Sequence, residues 1–154
     1  MGIGFNSLDP IAQIGLICLV AGLTAVGAAL LFRVRFTQIS WPGGILSVVP
    51  SALQLVLFYS LAIHMHWALG RWPESISERG FPNALVHHAH LATSYFIAWV
   101  LISMATWPIA FLAFLLVKPA RQFLLHLGLY ALAFAGCYGL MLLAPERFLY
   151  WWWD

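Results

Sequence analysis

Charge is scarce in this chain. Only 8% of its 154 residues are Asp, Glu, Lys or Arg, against roughly 25% in an ordinary soluble domain. A soluble fold of this size must cover a large surface with polar groups, and seven basic and five acidic side chains are too few for that. Lipid removes the need. The net charge of +2 with histidines neutral also lacks the basic field that nucleic acid demands, so no nucleic-acid partner is expected.

Cysteine is nearly missing as well. Cys18 and Cys137 sit inside apolar stretches with no CxxC or paired spacing, which leaves a disulfide framework or a thiol-redox motif without support. They read as packing residues, since a free cysteine behaves as a small hydrophobe. Internal repeats, low-complexity tracts and heptad arrays are missing too. No acid-rich metal motif suggests a lipid-phosphate transferase, and no nucleophile elbow suggests a hydrolase. Above all, no Asp, Glu, Lys or Arg falls within any of the four apolar stretches described next. Ion-coupled transporters and proton relays place ionisable groups there, which weighs against that class.

What the chain does have is apolar and aromatic bulk, 63% and 16% of its residues respectively. Residues 11–31 run 21 positions without a formal charge, about the length that crosses ~30 Å of hydrocarbon at ~1.5 Å per residue. No Lys or Arg precedes this run, and it exceeds the apolar core of a cleaved signal, so it is expected to stay as the first membrane helix. Asp9 and Pro10 supply a capping residue and a first-turn proline, and Arg33 and Arg35 close the span. Trp41, Pro42, Gly43 and Gly44 read as a turn before a second span over 45–69, with Pro50 bending or restarting it. The loop 70–83 carries Arg71, Glu74, Glu78 and Arg79. The third apolar run, 84–117, is about 50 Å long as a helix, so its first turns should project beyond the hydrocarbon or lie at the interface. Pro108 should kink it. A short turn at Lys118 to Arg121 leads to a fourth span over 122–144. The tail 145–154, with Trp151, Trp152 and Trp153, reads as an interfacial aromatic anchor. The fold class expected is therefore all-α: an integral membrane four-helix bundle with a long kinked third helix, residues 1–154 forming a single membrane domain.

Four spans place both termini on one side. Arg33, Arg35, Lys118 and Arg121 then share the other side, while Arg71, Arg79 and Arg147 lie with the termini and all five acids. The positive-inside rule turns the four-cation side to the cytoplasm and leaves both termini outside it. The compartment expected is a bacterial inner membrane.

In the first helix, Gly15, Cys18, Gly22, Ala25 and Ala29 form a stripe of small residues at spacings of three and four, with a looser counterpart in Gly128, Ala131, Ala135 and Gly139. Small stripes let membrane helices approach closely, because apolar burial supplies no drive between helices in lipid. Gly15, Gly22, Ala25 and Ala29 either contact a partner subunit or pack within this bundle. Gly70, Arg71, Trp72 and Pro73 combine a helix stop, a cation beside an aromatic ring and a fixed turn. Arg71 and Trp72, like Trp151 to Trp153, either anchor the chain at the interface or meet a partner or a headgroup.

Five of the six histidines gather near one membrane face: His64 and His66 late in the second span, His87, His88 and His90 early in the third. One histidine from each helix suits a b-type haem, and three suit a metal ion with an open position. Carboxylates to hydrogen-bond and orient the ligating rings would have to come from Glu74 or Glu78. Set against this, imidazoles near an interface meet water and headgroups at little cost. The function expected is a non-catalytic structural or assembly subunit of a larger membrane complex, with the lipid bilayer and other membrane subunits as its partners. Two alternatives stand beside it: a haem- or metal-binding redox subunit using the histidines, and a small pore or lipid-binding protein.

Overall fold

The computed structural model describes residues 10–35, 40–73 and 81–153, without the side chains of residues 10–12. Asp9, Glu74, Glu78, Arg79 and Asp154 lie outside the described residues, and with them the first-span cap and most of the acidic loop. Among the described residues there are five α-helices and one 3-10 helix, with no strand. The helices are α1 (Pro10–Leu31), α2 (Trp41–Leu69), α3 (Asn83–Leu116), α4 (Leu124–Met141) and α5 (Glu146–Trp153), with the 3-10 helix at Lys118–Phe123. Four of these segments are long and apolar enough to cross a membrane: Gln13–Leu31, Trp41–Leu69, Asn83–Leu116 and Lys118–Met141.

Three segments differ from the sequence reading. Residues 41–44 are the first turn of α2, not a loop. The Ser40 side chain accepts the Gly43 N–H at 3.2 Å, and Pro42 stands in the first turn, where a missing N–H costs nothing. Gly43 is required there for space: a Cβ would collide with the His126 imidazole of α4. The turn at Lys118 to Arg121 is wound into a 3-10 helix that runs on to Phe123, and α4 ends at Met141, which together leave it 18 residues. The tail is likewise helical. Pro145 and then Glu146 start α5, an acid in the first turn of a helix being favourable. At Gly70, in contrast, the helix stop expected is found, with φ at 67°.

Helix α4 lies at the centre, packed against α1 and α2, and α3 packs chiefly on α2. Gly22 and Gly128 let α1 and α4 touch at backbone distance: a Cβ on Gly128 would stand 3.3 Å from the Gly22 carbonyl oxygen. Ala25 and Ala29 are fully buried, and Ala29 joins Leu124 and Leu125 in a small apolar cluster. Gly15 faces Tyr138 of α4, which lies 3.8 Å from its would-be Cβ. The small stripe thus packs against α4 within the chain.

The larger cluster is aromatic. Trp99 of α3 stacks on Phe134 of α4 with centroids 4.0 Å apart. Phe58 of α2 meets Phe148 and Trp152 of α5 edge-on at 5.0 and 5.1 Å. Trp153 lies against Phe96 and Tyr138. The aromatic run thus folds back on α2, α3 and α4. Such pairs add to dispersion packing, the main cohesive term left between helices in lipid.

Ser103 and Thr106 bond backward along their own helix: Ser103 Oγ donates to Trp99 O at 2.6 Å and Thr106 Oγ1 to Ile102 O at 2.7 Å. Gln54 departs from this pattern. It is fully buried, and neither amide atom has a hydrogen-bond partner among the described residues.

Candidate functional site

The helix ends nearest α5 carry the polar residues singled out in the sequence. His64 lies late on α2 and His88 early on α3, two helices that pack together. Their Nδ1 atoms stand 3.0 Å apart, with ring centroids at 5.3 Å. His88 Nε2 lies 3.1 Å from Ser60 Oγ, one turn below His64 on α2. Ser60 Oγ in turn donates to the Leu57 carbonyl at 3.1 Å.

These contacts fix the protons. A carbonyl only accepts, so the single Ser60 proton goes to Leu57 O. With both rings neutral, one arrangement satisfies all three contacts: His64 Nδ1–H donates to His88 Nδ1, and His88 Nε2–H donates to Ser60 Oγ. The result is a polar chain that ties α2 to α3.

The other expected histidines do not join it. His66 is exposed and stacks on Trp72, with centroids at 4.7 Å, and Trp72 leans towards Phe148. His87 and His90 are exposed on α3. Among the described residues no group of three or more His, Cys, Asp or Glu side chains is placed to hold a metal ion. Arg71 donates to the Trp72 carbonyl at 3.3 Å. A cation over a ring is found at the far end of the bundle, where Arg121 Cζ stands 3.9 Å above Phe32.

The geometry also tests the haem expectation. Two imidazole nitrogens bound on opposite sides of one metal stand ~4 Å apart, at ~2 Å each. His64 and His88 are at 3.0 Å, spaced for a shared proton. A metal ion with both as neighbouring ligands would fit this distance, and would need its remaining donors from elsewhere.

Three further helix ties escaped the sequence reading. Tyr59 OH of α2 donates to Leu140 O of α4 at 2.6 Å. Tyr95 OH of α3 donates to Pro50 O of α2 at 3.1 Å. Trp99 Nε1 of α3 donates to Tyr130 OH of α4 at 2.9 Å, beside Ser103. A tyrosine or tryptophan inside an apolar span was the available signal, because its polar atom must find a partner there. The chain matches no family model, no curated protein and no solved structure.

Proposed function

We propose that this chain is an integral multi-pass membrane protein, crossing the bilayer as a four-helix bundle with α3 bent at Pro108, and that it serves as a non-catalytic structural or assembly subunit of a larger membrane complex. The compartment that goes with this reading is a bacterial inner membrane, with the Arg33, Arg35, Lys118 and Arg121 side cytoplasmic and both termini outside the cytoplasm.

One observation carries the partner. At ~1.5 Å per residue, the 34 residues of α3 extend about 51 Å and the 29 of α2 about 43 Å, against ~30 Å of hydrocarbon. With Trp41 and Leu116 at the four-cation face, the C-terminal end of α2 and the N-terminal end of α3 stand outside the lipid. Yet Ile63, Trp67 and Leu91 there are 54%, 83% and 59% exposed. Apolar area left in water costs roughly 25 cal/mol per Å², and an exposed tryptophan among aliphatic side chains suits a subunit contact. The polar side chains support the same reading, because Tyr59, Tyr95, Trp99 and the His64–His88 pair hold helices together.

The test is capture of the full chain from its native membrane in mild detergent. A stoichiometric partner chain is the outcome this reading requires, and a chain that runs alone at its own mass contradicts it. The redox alternative draws on the histidine pair; a Soret band or stoichiometric metal in the same preparation would favour it.

A further inference from the structure

The four-cation face has an unusual local structure. Helix α1 ends with Arg33 N–H bonded to Leu30 O at 2.9 Å and Val34 N–H to Ala29 O at 2.9 Å, the paired bonds of a Schellman motif. Such a motif needs a left-handed residue, usually glycine. Here Arg33 occupies it with φ at 57°. Val34 packs on the Leu124 and Leu125 cluster, which leaves Arg33 and Arg35 exposed on either side of it. Beside them, Arg121 lies over Phe32 and donates Nε to Leu115 O at 3.3 Å. That uses one of its five N–H donors. Lys118 is exposed in the same 3-10 helix. Every acid in the sequence lies beyond the opposite helix ends: Asp9 before α1, Glu74 and Glu78 after α2, Glu146 and Asp154 after α4. Among the described residues no ion pair neutralises the four cations.

A second feature lies between α1 and α3. Both α1 and α3 pack on α4, with hardly any contact between them. The gap is an apolar groove of about 240 Å³ whose walls include Ile17 and Ala21 of α1 and Met104, Trp107 and Pro108 of α3. That volume exceeds the ~150 Å³ that accepts benzene in an apolar protein cavity. Ala21 stands ten residues before the end of α1 and Pro108 eight before the end of α3. At ~1.5 Å per residue, the groove begins ~12–15 Å below the cations and runs on past Ile17 and Met104, around the middle of ~30 Å of hydrocarbon, where the end of an extended acyl chain anchored at the cations falls.

We propose that these two features form one site for a phospholipid with a net negative headgroup, its phosphate held by Arg33, Arg35, Lys118 and Arg121 and the end of one acyl chain reaching into the α1–α3 groove. This inference rests on the membrane reading, and it is independent of any partner subunit. Arginine supplies planar paired donors suited to phosphate oxygens. The left-handed backbone at Arg33 turns the chain so that its side chain and that of Arg35 flank the packed Val34. The groove explains selection of a lipid over a soluble phosphate.

The experiment uses the full chain reconstituted in mixed phosphatidylglycerol and phosphatidylcholine nanodiscs, with bound lipid read by native mass spectrometry after release. Wild type should retain phosphatidylglycerol with a preference of ~10-fold or more. Arg33→Gln with Arg35→Gln and Lys118→Gln should abolish that preference; these changes spare Arg121, which packs on Phe32. Two groove variants, Ala21→Phe and Ile17→Trp, should each reduce retained phosphatidylglycerol several-fold with wild-type helicity and melting. Millimolar glycerol phosphate should displace none of it. Equal retention of the two lipids by wild type overturns the proposal, as does unchanged preference in the triple variant. Unchanged binding in both groove variants overturns it as well, and so does displacement by glycerol phosphate. Failure to enter bilayers at all sinks the membrane reading and this site with it.

Discussion

Gly22 of α1 and Gly128 of α4 meet across the helix crossing, each in a place where a side chain does not fit. A Cβ on Gly22 would stand 2.9 Å from Leu132 Cδ2 and 3.2 Å from the Leu132 backbone nitrogen, and one on Gly128 2.8 Å from Val26 Cγ2. The close approach is what gives α1 its hold on the bundle, because dispersion falls steeply with separation.

Substitution at this crossing should therefore separate the helices. Gly→Ala in a helix gains up to ~1 kcal/mol from propensity, whereas overpacking costs ~1–3 kcal/mol. Gly22→Val or Gly128→Val, larger still, should lower stability by ~2 kcal/mol or more. Gly139 has nothing within 4 Å of its would-be Cβ, so Gly139→Ala should leave stability unchanged or raise it. Reversible unfolding in detergent measures all three. Equal losses at positions 22 and 139 would refute the close crossing.

The histidine tie should respond to pH. Its 3.0 Å contact survives with both rings neutral or with one added proton. Partial burial, and then the His64 ring beside it, lower the proton affinity of His88 below that of a free imidazole, and a second added proton, on His88 Nδ1, removes the acceptor of the tie. The tie's contribution is thus present above the ordinary imidazole range and lost as pH falls below it. His64→Ala and His88→Ala should each cost ~1 kcal/mol at pH 8, the double variant hardly more than either single one. Between pH 8 and 5, wild type should lose stability that the double variant does not. Additive single effects at pH 8 would show that the rings do not bond.

Orientation is open to direct measurement. Reporter fusions after Arg35 and after Arg121 should report cytoplasm, and fusions within 74–79 and after Asp154 the other side. Opposite results for the Arg35 and Arg121 fusions would contradict four spans, while a uniform reversal would turn the protein over and leave the spans intact.

The spans were legible because hydropathy and length act over some 20 residues, so single misreadings average out. Local punctuation was less so. Residues 41–44 contain proline and two glycines and read as a turn; only the Ser40 cap and the His126 ring across the bundle show why they start a helix. The α1–α4 contact was foreshadowed by its small residues, whose spacing marks one face of each helix. The sequence put five histidines near one set of helix ends and did not single out the two that meet. His64 and His88 meet because of how α2 and α3 are rotated about their axes, which depends on packing far along the chain at sites such as the Tyr95–Pro50 bond. Nothing near the histidines in sequence distinguishes His88 from its neighbours His87 and His90.

The subunit reading turns on the apolar side chains that, in the proposed orientation, α2 and α3 would hold beyond the lipid. A photoactivatable cross-linking residue placed at Trp67 or Leu91, in the full chain expressed in its native membrane, reports what covers them. A third placement at Leu101, 62% exposed in the middle of α3, serves as the lipid-facing comparison. The account predicts one discrete protein adduct of the same mass from positions 67 and 91, and lipid adducts from position 101. Lipid or solvent adducts alone from positions 67 and 91 would contradict it.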